Sequence, residues 1–329
     1  MRPRIFLTQP MHESAIKRLR AVATVRINRD SSRIISKSAL IAAVRKCDIL
    51  LTRLHDKVDR DVIAANPKLR AITSMSITPD NTDVAEATAR GIPVTVIPPM
   101  VAEATADMTF ALMLAVARRV VEGDRLARAG HFPGSQSNHL AGAWVWNKTL
   151  GLVGGGGRIG KAVARRARGF SMRVLYWGPR RKSEVEESDA GITYVPLERL
   201  LAESDFVSLH SPLNAQTRHQ IGVRELRLMK KAAFLINTAR GAVVDEAALI
   251  RALARKQIAG AGLDVFEHEP KIDRALAKMS NVVLVPHLGS AVMDLRERMA
   301  QVVVDNVLEL IAGRVPPNCV NPLVFEKKK

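Results

Sequence analysis

Cysteine is almost missing from this chain: Cys47 and Cys319 are the only two in 329 residues, and they share no metal-ligand spacing. Two thiols do not frame a disulfide scaffold, so a reduced, cytoplasmic setting is the plain expectation. Aromatic residues make up 4% of the chain, which leaves no evident base-stacking platform for nucleic acid. Long apolar runs are lacking as well. The longest, Phe110 to Ala117, stops at Arg118-Arg119, far short of a membrane span. Met1 to Pro10 carries basic residues but too short an apolar run for a signal peptide. Acidic residues are the scarcer charge, 32 against 50 Lys and Arg, for a formal net charge of +18. Such a balance favours anionic partners in general. The cations are spread over the whole chain, however, and neither nucleic acid nor a membrane is expected as a partner.

What remains is an ordinary soluble composition, 47% hydrophobic and 25% charged, at a length that suggests two domains. The most informative stretch is Lys148 to Lys182. An aliphatic run, Thr149 to Val153, empties into four glycines, Gly154 to Gly157. Ile159, Val163, Ala167 and Phe170 then recur at helical spacing, and a second apolar run follows at Val174 to Trp177. Within this strand, turn, helix and strand, Gly155, Gly157 and Gly160 fit G-x-G-x-x-G. The first glycine permits a sharp turn, the second lets backbone approach a pyrophosphate, and the third packs helix on strand. The helix N-terminus adds unpaired N–H groups and a positive dipole end.

Elsewhere short apolar runs alternate with helical patterns. Strands are predicted at 5–7, 49–51, 71–73 and 94–97, with helices at 13–19, 37–45, 59–66 and 82–90 between them. One long, mostly apolar helix is predicted over 101–121, buried between domains or subunits, and then a loop-rich stretch over 123–147 that could wrap a partner chain. After the glycine unit, strands are predicted at 206–209, 234–236, 261–265 and 282–285, and a final helix at 292–312. This alternation argues for an α/β protein built on parallel sheets covered on both faces.

Open α/β sheets place chemistry at the carboxyl ends of their strands. Here those ends read His210-Ser211-Pro212, then Asn237-Thr238-Ala239-Arg240-Gly241, then Phe266-Glu267-His268-Glu269-Pro270, then Pro286-His287-Leu288-Gly289. A cation, a carboxylate and an imidazole thus follow three separate strands.

With these motifs in view the chain resembles the D-isomer-specific 2-hydroxyacid dehydrogenase family, and its glyoxylate/hydroxypyruvate reductase branch in particular. The likeness rests on TLGLVGGGGRIG, LHSPLNAQTRH, NTARGAVVDEAALIRAL, GAGLDVFEHEP, VPHLGSA and the closing Val320-Asn321-Pro322, and it spans essentially the whole chain. The resemblance implies two doubly wound parallel-sheet domains. A Rossmann-type cofactor domain, 100–289, would be inserted into a flavodoxin-like substrate domain made of 1–99 and 290–329. It also implies a homodimer.

By the same resemblance Arg240 grips the substrate carboxylate, His287 is the general acid, and Glu269 pairs with it. A planar guanidinium fork and a carboxylate-held imidazole suit those tasks. The implied cofactor contacts are Thr105, Gly155, Gly157, Arg158, Ile159, Gly160, Trp177, Gly178, Arg180, Arg181, His210, Ser211, Pro212, Thr217, Thr238, Ala239, Asp264 and Gly289. Asp264 reads either as a partner of the nicotinamide carboxamide or as a buried cap on its strand end. The substrate segment is Ser76, Ile77 and Thr78 together with Arg240, and Arg53 is set to favour an extra hydroxyl or carboxylate. No metal is expected.

Two departures from the family pattern stand out. Thr78-Pro79 replaces a usual glycine and removes an N–H. Gly154 adds one residue between strand and motif, which a bulge at the strand end would absorb. Cofactor preference is read after the second strand, where NAD-selective sites place an acid roughly 20 residues past the glycines. Here Arg180, Arg181 and Lys182 come before the first acid, Glu184. NADP(H) is therefore expected over NAD(H). The expected reaction is reduction of a small 2-oxoacid to the D-2-hydroxyacid. A nucleotide-sensing, co-repressor-like binding protein on the same scaffold is the alternative.

Overall fold

The computed structural model describes residues 2–328. It divides into two compact units, one running to Met100 and resuming at Ala291, the other spanning Val101–Ser290.

The first unit alternates β1 (Arg4–Leu7), α1 (Glu13–Val22), β2 (Thr24–Ile27), α2 (Lys37–Val44), β3 (Ile49–Thr52), α3 (Arg60–Ala64), β4 (Ala71–Ser74), α4 (Val84–Ala89) and β5 (Val94–Thr95). All five strands are parallel, in the order β2-β1-β3-β4-β5, the flavodoxin-like winding. β3 and β4 are buried at every position, which is why their sequences run apolar without alternation. β2 was not anticipated. As an edge strand it is half exposed at alternate residues and reads TVRI, too polar to stand out as a buried run. The closing Val-Asn-Pro motif ties the end of the chain to β5: the Val94 N–H donates to Asn321 Oδ1 (2.8 Å), and the Val320 N–H donates to the Val94 carbonyl (2.9 Å).

The second unit contains α5 (Ala102–Ala117), α6 (Val120–Arg128), β6 (Thr149–Val153), α7 (Arg158–Arg168), β7 (Arg173–Trp177), α8 (Glu184–Ala190), β8 (Thr193–Tyr194), α9 (Leu197–Glu203), β9 (Phe206–Leu209), α10 (Val223–Leu228), β10 (Phe234–Asn237), α11 (Glu246–Ala254), β11 (Gly260–Leu263), α12 (Arg274–Lys278) and β12 (Val282–Leu284). Its seven parallel strands lie in the order β12-β11-β10-β9-β6-β7-β8. Counted from β6 this is the 3-2-1-4-5-6 Rossmann order with one strand added. α13 (Met293–Ile311) returns to the first unit, where it packs on α1 and β4.

The single helix predicted over 101–121 is two. Arg119 takes a left-handed conformation (φ 54°) and separates α5 from α6. A competitor for the helix carbonyl explains the break: the Ala143 N–H donates to the Ala117 carbonyl at 2.8 Å, and Gly142 lies so close that a Cβ there would sit 2.4 Å from the same oxygen. Arg119 is braced by a two-pronged bond to Glu122 (2.9 and 2.8 Å). The irregular stretch therefore begins after Arg128, not at Gly123. The apolar character of α5 is accounted for within its own unit, where it packs on α7, β10 and β11. Among the described residues no helix is long and apolar enough to cross a membrane.

Candidate active site

The glycine turn is shaped by close approach. β6 and β7 stay in register through Val153 and Trp177, so no bulge absorbs the added glycine. It extends the turn instead. Gly154 takes φ +79° at the strand end, and a Cβ there would lie 2.7 Å from the Ser211 N. The Trp177 carbonyl accepts from the Gly154 N–H (2.8 Å). Gly160 packs so tightly that its Cβ would fall 2.2 Å from the Gly155 carbonyl oxygen. Gly157 caps α7, and no acidic residue sits in that helix's first turn, leaving its positive end undiluted by negative charge. Bare backbone, a helix start and Arg158 fit a dinucleotide pyrophosphate, as P-loop and Rossmann sites do. His210 fits as well. Its Nε2 pairs with Ser208 Oγ (3.0 Å), while Nδ1 is buried with no protein partner, and burial pushes the ring down to about 4.

Beyond β7 the three cations separate. Arg181 is committed to Glu187 by two bonds (2.9 and 3.0 Å), and Glu187 also accepts from the Tyr176 hydroxyl (2.8 Å). Lys182 lays its stem over Gly156 and pairs with Glu186 at 3.6 Å. Arg180 is exposed and makes no ion pair among the described residues. Glu187 was missed in the sequence because it reaches back from α8, well past the usual position.

Arg240, Glu269 and His287 follow β10, β11 and β12, three neighbouring strands whose spacing sets the outer two about 10 Å apart. Arg240 is held extended. Its Nη1 donates to the Ala239 carbonyl (2.8 Å), and its own carbonyl accepts from Asn237 Nδ2 (3.1 Å). His287 Nδ1 lies 2.9 Å from Glu269 Oε2, while Glu269 Oε1 accepts from the Phe266 N–H at 3.0 Å. His287 occupies the left-handed region (φ 55°), a strain fixed by N–H bonds to Asp264 and Val285 carbonyls (2.9 and 3.1 Å). Asp264 is buried, and its oxygens accept from the Leu288 and Gly289 N–H groups (2.5 and 2.8 Å). It thus fastens the His287 loop to the β11 end, and burial pushes its carboxyl up. Thr105 Oγ1 approaches the Gly289 carbonyl (3.5 Å), and Thr109 and Thr238 hydroxyls meet at 3.0 Å. Ala239 is buried; Ile159 is the second residue of α7, and Gly178 directly follows β7. Pro212 and Thr217 share a turn through the Thr217 hydroxyl (2.5 Å).

In the first unit, the ends of β1, β3 and β4 hold polar side chains. Asp56 is buried, takes a short bond from Thr8 Oγ1, and accepts the Arg53 N–H at 2.6 Å. The Arg53 guanidinium rests on Met75 Sδ (2.6 Å). Burial, with Arg296 nearby, pushes it down to about 10, so it stays charged at neutral pH. The following segment is wound by hydroxyls: Ser74 and Ser76 meet at 2.7 Å, Ser76 Oγ donates to the Thr78 carbonyl (2.6 Å), and Thr78 Oγ1 to Asp80 (2.8 Å). Ile77 lies inside that winding, so the Thr78-Pro79 departure is accommodated by side-chain bonding.

The chain is similar over nearly its whole length to known proteins. Residues 110–289 match the family described as D-isomer specific 2-hydroxyacid dehydrogenase, NAD binding domain. A glyoxylate reductase of Thermococcus litoralis is 47% identical over 325 residues, covering 98% of this chain and 97% of that protein. A solved Thermus thermophilus protein superposes with a TM-score of 0.89 at 42% identity, covering 96% of this chain and 99% of the other. An NADPH-dependent glyoxylate/hydroxypyruvate reductase of Sinorhizobium meliloti, solved with NADP and malonate, gives 0.80 at 30% identity, covering 99% and 98%.

Proposed function

This chain belongs to the D-isomer specific 2-hydroxyacid dehydrogenases, NAD(P)-dependent oxidoreductases, and from that premise we propose that it reduces glyoxylate or hydroxypyruvate with NADPH. The observation that carries the reading is the Glu269–His287 pair, set beside Arg240 on three adjacent strand ends. A nicotinamide dinucleotide, held by the Gly154–Gly160 turn and α7, supplies the hydride. Arg240 binds the carboxylate of the 2-oxoacid through its fork and draws electron density from the neighbouring ketone. Nδ1 of His287 faces Glu269, which leaves Nε2, the opposite edge of the ring, to deliver a proton to the ketone oxygen. Glu269 supports the charged imidazole before transfer and fixes its tautomer. The product is the D-2-hydroxyacid. This assembled acid and cation favour turnover over the nucleotide-sensing alternative.

On the cofactor, Arg180 is the cation proposed to meet a 2′-phosphate, because Arg181 and Lys182 are already paired. On the substrate, Arg53 and the Ser76–Thr78 segment are proposed to choose the group at C3, favouring the hydroxyl of hydroxypyruvate. The exposed Trp144 and Trp146, with a cleft of about 370 Å³ lined by Val116, Phe234 and Val283 in the same unit, support the homodimer reading. Two unpaired cysteines suit a cytoplasmic setting.

The test is steady-state turnover of both oxoacids with each nucleotide, followed by absorbance loss. Faster reduction with NADPH is expected. Arg180→Ala should lower kcat/KM with NADPH about tenfold, on the scale of one charge-assisted bond, and leave the NADH value within about twofold. Equal rates with both nucleotides in the unaltered protein would refute the preference.

A further inference from the structure

Two carboxylates of the second unit have no part in this chemistry and are nevertheless withdrawn from solvent. Glu246, the first residue of α11, is 9% exposed, and the Glu267 side chain is 9% exposed. Each holds the other's backbone. The Glu267 N–H donates to Glu246 Oε2 at 3.0 Å, and the Glu246 N–H donates to Glu267 Oε2 at 3.3 Å. Helix capping does not explain the arrangement, since Asp245 already caps α11 through the Ala248 N–H (2.8 Å).

The pair joins two loops that the reaction needs in fixed relation. Glu267 stands two residues before Glu269, and Glu246 follows the turn that begins at Arg240. Between them Gly241 touches Phe266 so closely that a Cβ would lie 1.9 Å from the Phe266 carbonyl oxygen. A third segment is bound in: Glu267 Oε1 accepts from Arg218 Nη2 (3.0 Å) and lies 2.6 Å from His219 Nε2, while the His219 N–H donates to the Ala242 carbonyl (2.8 Å). Burial lifts the Glu246 carboxyl above the usual range, whereas Glu267, against its own burial, is held below it by His219.

We propose that Glu246 and Glu267 form a reciprocal clasp that positions Arg240 against the Glu269–His287 pair. Neither touches the reacting atoms; both are positioning residues, and their role rests on the reading that Arg240, Glu269 and His287 carry the reaction. A displacement on the order of 1 Å in such a set costs about a hundredfold in rate. Loss of the outer partners that orient the ligands of a metal site costs about 10–100-fold, and an effect of that size is expected for the clasp.

The experiment compares Glu246→Ala with Glu246→Gln, whose amide oxygen still accepts the Glu267 N–H. The readouts are kcat/KM for hydroxypyruvate, thermal stability, and the NMR signal of the His287 ring N–H in its bond to Glu269. Expected for Glu246→Ala is a roughly 10–100-fold loss of kcat/KM with the His287 ring N–H signal displaced, as its bond to Glu269 loosens. Glu246→Gln should keep kcat/KM within about threefold of the unaltered enzyme and leave the ring N–H signal in place. An unmoved His287 ring N–H signal in folded Glu246→Ala, or equal losses in both variants, overturns the clasp. If Glu246→Ala fails to fold, Glu267→Ala set against Glu267→Gln decides by the same readouts: the first removes the acceptor of the Glu246 N–H and should show the loss, the second keeps it and should not, and equal values in both overturn the clasp. Absence of turnover in the unaltered enzyme would sink the proposed reaction alone, for the ring N–H signal would still judge the clasp.

Discussion

At the carboxyl edge of the seven-stranded sheet, function is cut into the backbone: glycines at 154, 155, 157, 160 and 241 stand where any Cβ would strike a neighbouring chain or close off an approach. At the same edge of the five-stranded sheet, β1, β3 and β4 end in hydroxyls, a buried aspartate and a guanidinium, and side chains do the shaping. The contrast follows from the tasks proposed for them. A pyrophosphate is recognised by N–H groups at close range, so the protein must remove its own side chains. A small substituent at C3 is told apart by which polar groups meet it, so the protein must supply side chains.

Substitutions that attack the first edge should therefore be severe and those at the second selective. The largest expected effect is from His287→Ala, which removes the proposed proton donor and should lower kcat by roughly a thousandfold, with circular dichroism and nucleotide affinity preserved. Full activity in that variant would dissolve the assignment. Next comes Gly160→Ala. Its new methyl would overlap the Gly155 carbonyl, and a cost of about 3 kcal/mol in urea unfolding is expected, together with weakened nucleotide binding by fluorescence. A neutral outcome would mean that the turn is more pliable than the comparison requires.

His210 gives a pH-dependent case. Its ring, normally near 6.5, is pushed to about 4 by burial, so the unfolded chain takes up the proton first as pH falls. Stability is fully present above 6.5 and drains away toward pH 4, by up to about 3 kcal/mol. In His210→Gln, measured without nucleotide, that part of the acid loss should vanish; an unchanged slope of stability against pH would rule it out. The smallest effect belongs to the other sheet. Arg53→Met should leave glyoxylate reduction within about twofold and reduce the preference for hydroxypyruvate by about tenfold, the scale of one bond to a charged group. A uniform fall for both substrates would erase the distinction between the two edges.

Much of the second unit was legible because its constraints are local. G-x-G-x-x-G compresses a turn, a phosphate approach and a helix contact into six residues, and Arg240, Glu269 and His287 each follow a short apolar strand run. What escaped the sequence depends on distance or on edges. β8, like β2, is an outer strand, only two residues long. The break at Arg119 comes from Gly142 and Ala143, more than twenty positions on. Arg181 looked like a phosphate ligand until Glu187 folded back upon it, and the Glu246–Glu267 exchange joins side chains to backbone across 21 residues, which no periodicity records.

The bare Cα of Gly241 has a practical corollary for redesign. With the Phe266 carbonyl pressed against it, the residue next to the arginine proposed to bind the substrate carboxylate tolerates no side chain at all. A library intended to widen the range of acids accepted should leave that position fixed and draw its diversity from Arg53 and Met75, where the lining can be exchanged without forcing two main chains apart.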